Sequence, residues 1–235
     1  MDFRATRASL RSFSRLKCAN DIPENGISEH FITAVKTHHL MPGSTIATVP
    51  FGAFSTGQKS KRSTQAAIYR SMDVPKRGHP HWADQKVSLQ FSCYVAGADP
   101  FEDTELDEDC SEEGRKRRKL REHITATAAL LFAVQQRVFL FMVLVIGRRF
   151  RLLRWDRAGV IVTPSIDYVD HSTLLCDCLR RLSLLDDISL GFDPTAIRLQ
   201  THDSDFLRMD TAALDDPNDV DHTERRIEEG DIGDA

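Results

Sequence analysis

Five cysteines (Cys18, Cys93, Cys110, Cys176, Cys178) and nine histidines are the residues of this 235-residue chain best suited to hold a metal or supply a nucleophile. Their spacing suits neither role. An odd number of irregularly placed cysteines makes no disulfide framework and points to a reducing compartment, hence an intracellular, cytoplasmic or nuclear setting. The pair Cys176 and Cys178 lacks both the two-residue spacer and the second pair of a tetrahedral zinc site. Only His38/His39 and His79/His81 lie near one another, so neither a metal nor a cofactor is expected. The sequence holds no Gly-rich phosphate loop, no G-x-S-x-G elbow and no H-E-x-x-H helix. The strand lysine, H-R-D loop and D-F-G segment that serve phosphoryl transfer are missing too. Asp205-Phe206-Leu207 shares two letters with the last of these, with no catalytic loop before it.

Charge is the next chemical resource, and it is unevenly laid out. The chain has 31 Lys+Arg against 35 Asp+Glu, a net charge of −4. Residues 203 to 235 hold twelve acids and three arginines, which leaves the preceding 202 residues mildly basic. Residues 201–235, poor in large apolar side chains and carrying Pro217-Asn218, read as an acidic disordered tail. Residues 1–25 form a basic Arg/Ser-rich arm with Leu10, Phe13 and Leu16 at helical spacing. That composition fits either a mitochondrial presequence or a plain terminal arm. A charged block spans 101–121. Its acidic half, Glu102 to Glu113, suits a solvated loop or the N-terminus of a helix. Its basic half (Arg115, Lys116, Arg117, Arg118, Lys119, Arg121) suits either a nucleic-acid or import patch or the solvated first turns of that helix.

The elements that position these residues follow from hydrophobic patterning. Ile124 to Ile146 is long enough to suggest a membrane span. Gln135-Gln136-Arg137 would then lie at mid-bilayer, where an Arg alone costs about 2.5–3.5 kcal/mol. No membrane segment is therefore expected. The Ala/Leu-rich first half predicts a helix over 113–136. The run VFLFMVLVI predicts a strand buried on both faces. Gly147 breaks that run, Arg148 to Trp155 alternates, Asp156-Arg157-Ala158-Gly159 reads as a turn and Val160 to Thr163 returns. This is a three-stranded antiparallel meander over about 138–163. Gln65 to Arg70 and Lys86 to Val95 predict two further strands, the second with Val87, Leu89 and Phe91 on one face and Ser88, Gln90 and Ser92 on the other. A last helix falls near 172–185. The fold class is α+β, a mixed or antiparallel sheet flanked by helices.

The stretch Gln136 to Tyr168, QRVFLFMVLVIGRRFRLLRWDRAGVIVTPSIDY, resembles the N-terminal part of the fungal-type protein kinase domain, with a pattern close to QHRTFLFSVLIFGRYARLLRWDRSGAIVT. Gly147, Arg154, Trp155, Asp156, Arg157 and Gly159 carry the likeness. It extends through Leu175 to Leu185 and Gly191-Phe192-Asp193-Pro194-Thr195, and upstream to Ile68-Tyr69 and Asp99-Pro100-Phe101, covering about residues 26–200. The resemblance places kinase-like catalytic machinery C-terminal to this region. It therefore implies a non-catalytic portion, inactive alone as an enzyme, serving an unidentified protein partner as a scaffold or regulatory module. A continuation carrying the catalytic segments would make the chain part of a longer kinase.

The same resemblance brings a second comparison. The upstream region of that family carries a pattern like the PD-(D/E)xK nuclease core, where two carboxylates hold a divalent metal and a lysine orients water. Laid on this chain, those positions fall at Gln65, Gln90 and Ser92, each without charge, and Asp84 is the one acid near them. The element order is one that a restriction-endonuclease-like core with added strands would give. The competing function is thus a diverged nuclease or nucleic-acid-binding domain using the basic run.

Overall fold

The computed structural model describes residues 13–49, 65–72, 82–95, 97, 99–102, 111–197, 199 and 203–208. The chain divides into two units, Met1–Asp193 and Pro194–Ala235. In the second, residues 204–208 form a short helical turn in which Arg208 pairs with Asp205 at 3.5 Å.

The first unit opens with a 3-10 turn at Ser14–Leu16 and helix α1, Glu24–Thr37. Ile27, Phe31, Ile32 and Val35 recur at helical spacing and are buried, together with Phe13 and Leu16 of the preceding turn. Strands β1 (Ser44–Val49), β2 (Gln65–Arg70) and β3 (Val87–Ser92) follow as an antiparallel set. Helix α2, Glu112–Val134, then crosses over to β4, Phe139–Ile146. β4 pairs parallel with β3, from Ser88↔Met142 to Ser92↔Ile146. A parallel pair cannot be joined by a tight turn, and α2 supplies the long connection it requires. β5 (Arg149–Asp156) and β6 (Gly159–Val162) complete the predicted meander. β7, Ile166–Asp167, pairs with the start of β5, and α3, Ser172–Leu184, closes the unit. The order across the sheet is β1-β2-β3-β4-β5-β6.

Each face of the sheet has its own core. One contains Leu89, Phe91, Val143, Val145 and Phe150 with α1 and α3 residues, and includes the aromatic cluster Phe13, Phe31, Phe91 and Tyr168. The other contains Tyr69, Leu140, Met142, Leu144 and Leu153 with Ile124, Ala128 and Leu131 of α2. Residues 124–146 are thus divided between helix and strand, and among the described residues no helix is long and apolar enough to cross a membrane.

One sequence expectation needs correcting. The strand foreseen over Lys86 to Val95 is confined to Val87–Ser92. On its polar face Ser88 and Gln90 are each 1% exposed, because α2 packs on that side of the sheet. Alternation marks two chemically different faces, and here both are covered.

Candidate functional site

The positions singled out by sequence fall into three places. The first is the β2–β3 pair. Gln65, the first residue of β2, is the direct register partner of Gln90 on β3, and Ser92 lies two residues beyond on the same face as Gln90. Both amide atoms of buried Gln90 lack a hydrogen-bond partner, a state that costs on the order of 1–3 kcal/mol. Asp84 is not brought to these residues. It sits in the 3-10 turn Trp82–Asp84, before the start of β3, whereas Gln90 and Ser92 lie toward its end. Among the described residues no group of three His, Cys, Asp or Glu is placed to hold a metal. Neutral amides and a hydroxyl supply no charge to balance a divalent cation.

The second place is the meander with its turns. Gly147 adopts φ +53° between β4 and β5, and a Cβ there would crowd Asn20 and come within 2.6 Å of the Cβ of Tyr94. Its backbone is fixed from both sides. Asn20 Oδ1 accepts from the Arg148 N–H at 2.9 Å, and buried Tyr168 donates its hydroxyl to the Gly147 carbonyl at 2.7 Å. At the β5–β6 turn, Asp156 Oδ1 accepts from the N–H groups of Ala158 (2.8 Å) and Gly159 (3.1 Å), closing the turn as Asx residues do. Arg154 stacks on Phe139, its guanidinium carbon 4.3 Å from the ring centroid, and pairs with Asp156 at 3.4 Å. Trp155 packs against the α2-side core and Arg157 points to solvent. One further strand residue, Arg151, reaches Asp99 at 2.8 Å, while Arg121 of α2 donates to the Pro100 carbonyl. The Asp99-Pro100-Phe101 loop is therefore pinned from two sides.

The third place was not foreseen as a site. Arg137, 4% exposed, donates to the carbonyls of Gln85 (2.6 Å), Lys86 (3.1 Å) and Leu190 (3.0 Å), and its guanidinium lies 3.6 Å from the Phe192 ring centroid. Neighbouring Gln135 reaches the carbonyls of Trp82 and Gln85. Burial pushes the Arg137 pKa down to about 9, against a smaller upward pull from Asp187. The buried Lys86 ammonium donates to the Ser183 carbonyl at 3.0 Å, and burial lowers its pKa also. Gly191 closes this hub: its φ is +89°, and a Cβ would lie 2.8 Å from the Phe139 carbonyl carbon. Val138 N–H donates to Gly191 O, and Asp193 N–H to Gln136 O. The Gln136–Val138 and Gly191–Asp193 segments, fifty residues apart, are thus zipped together. The sequence signal was present, since a charged residue interrupts two apolar runs, but its partners are all backbone carbonyls, which no side-chain pattern reports.

Within the basic run Arg117 alone is buried, while Lys116 and Arg121 are exposed but engaged within the chain. Arg117 is 7% exposed and has a partner, Lys116 pairs with Glu112 at 2.7 Å, and Arg121 is engaged with Pro100. Arg115, Arg118 and Lys119 are exposed on the outer side of α2. Ser111 Oγ accepts from Gly114 N–H at 2.8 Å, and Glu112 and Glu113 occupy the first turn, favourable charges for a helix N-terminus.

A family model described as "Fungal protein kinase" matches residues 103–221, just over half the chain. The matched segment takes in α2, β4 to β7 and α3, while β1 to β3 lie upstream of it. No match was found among curated proteins or among solved structures.

Proposed function

The chain belongs to the fungal protein kinase family, and we propose that its folded body serves that family as a non-catalytic scaffold or regulatory module for a protein partner. The observation that carries this reading is how the family-like residues are used. Gly147, Asp156, Gly159 and Arg154 close turns and brace strands, and Arg137 spends its donors on backbone carbonyls. Phosphoryl transfer instead needs metal-binding carboxylates, a base and phosphate-cradling amides converging on one cleft. The test is transfer of labelled γ-phosphate to a generic protein substrate in the presence of magnesium. Incorporation equal to that of a protein-free control is expected, and sustained turnover would overturn the proposal.

A second reading, a diverged nuclease-like or nucleic-acid-binding core, is favoured by one observation: Gln65 and Gln90 are register partners across β2 and β3, and Ser92 lies two residues beyond Gln90. Restoring the charges as Q65D/Q90E/S92K tests it. Under this reading the variant acquires saturable manganese binding that the parent chain lacks, detected by water-proton relaxation. A folded variant with no binding would dispose of it.

A further inference from the structure

The sheet ends at β6, and its ladder decides what that edge offers. Among the described residues β6 pairs only with β5, Arg154 standing opposite Ile161 and Asp156 opposite Gly159. Just past the strand, Thr163 N–H donates to Leu152 O at 3.0 Å. Hydrogen-bonded positions alternate along an antiparallel pair, so Thr163, Ile161 and Gly159 direct their main-chain groups at β5. Val160 and Val162 direct theirs outward, and no described residue bonds to them there.

The side chains of this edge carry no protection. Sheet edges are ordinarily blunted by a charge, a proline or a covering segment, and Gly159-Val160-Ile161-Val162 contains neither charge nor proline. Ile161 is 67% exposed at the rim. The registers put it in one row with Arg154 and Phe141. Arg154 is drawn back over Phe139 and paired with Asp156, which leaves Ile161 as the side chain that the row presents outward.

We propose that β6 is a self-association edge, at which a second copy of this chain adds its own β6 antiparallel about a two-fold axis through Ile161. That axis sets Val160 against the partner's Val162 and Val162 against the partner's Val160, so every outward N–H and C=O of these residues finds a partner. The neighbouring axes fail. One at Val162 would set Val160 against Pro164, which has no N–H. One at Val160 would set Val162 against Ala158, whose N–H is already held by Asp156 Oδ1 at 2.8 Å. An axis between residues would oppose an outward residue to one that faces β5. With the axis at Ile161, the two isoleucines meet as a non-hydrogen-bonded pair, the kind whose side chains approach most closely. A second copy fits because β6 is its own complement, an uncharged β-branched strand, and because the two-fold closes the assembly at two chains. So short a pairing buries less than a stable dimer needs, which sets a weak dissociation constant of about 0.01–1 mM.

Sedimentation equilibrium of the full chain up to about 1 mM is expected to show a monomer–dimer equilibrium that goes no higher. I161K should keep the chain monomeric over that range, since like charges directly opposite repel, while the unfolding midpoint stays unchanged because the side chain is exposed. Cysteines read the register: with copper–phenanthroline as oxidant, I161C should form a covalent dimer about tenfold or more faster than V160C or the parent chain, because only at the axis do like residues come within disulfide reach. A parent chain that stays monomeric at about 1 mM, even one whose β6 takes up an added acetyl-Gly-Val-Ile-Val-Thr-amide peptide, would overturn the proposal. So would association beyond the dimer, a dimer that I161K leaves intact, or V160C linking as fast as I161C.

Discussion

Arg137 shows most clearly what the matched residues do. A buried guanidinium with no carboxylate contact is tolerable only because three carbonyls and an aromatic face replace its hydration. Those carbonyls belong to the segment leading into β3 and to the turn after α3, so a single side chain ties together parts of the chain fifty residues away in each direction. Removing it leaves buried acceptors unpaired, which costs about 1–3 kcal/mol per group before relaxation. R137A should therefore lower stability by about 3 kcal/mol, and R137K by somewhat less, because a point charge cannot serve a planar fork of acceptors. Urea unfolding with an unchanged m-value measures this. A loss below about 0.5 kcal/mol, typical of an inconsequential surface change, would show that the hub is not structural. A charge between two apolar runs marked Arg137 in the sequence, but its partners could not be read there, since backbone carbonyls leave no trace in a pattern of side chains. Gly147 was legible, because a glycine ending an apolar run signals a turn, and the left-handed backbone there agrees.

At the scale of elements, legibility tracked hydrophobic contrast. The meander was plain in sequence because β4 is apolar on both faces, and turn residues separate it from β5 and β6. The change from Ala/Leu to Val/Ile/Phe composition likewise separated α2 from β4. The polar face of β3 was the hard case. Ser88, Gln90 and Ser92 form a polar face, but Ser88 and Gln90 are buried beneath the α2 crossover while Ser92 is half-buried, and coverage is a tertiary fact set by the parallel β3–β4 pairing. Gln90, buried without a partner, remains the one position on that strand whose residue type the packing does not explain. The α1 terminus was also opaque: nothing in His38-His39 distinguishes a left-handed cap from an ordinary helix end, since histidine rather than glycine occupies it.

For the whole molecule, the described body is a mixed six-strand array with a short seventh strand on β5, helices on both faces, and turn and strand residues such as Gly147, Arg154 and Asp156 whose described contacts lie within the body. The net charge of −4 is the sum of a basic body and an acidic terminal segment, so it says little about either. Family membership sets an expectation of nucleotide chemistry, while the site geometry argues for a supporting role. Calorimetric titration of the chain with Mg·ATP separates the two most directly. The non-catalytic account predicts no saturable heat up to about 1 mM nucleotide, the upper end of ordinary enzyme substrate affinities. A saturable isotherm in the micromolar range would contradict it.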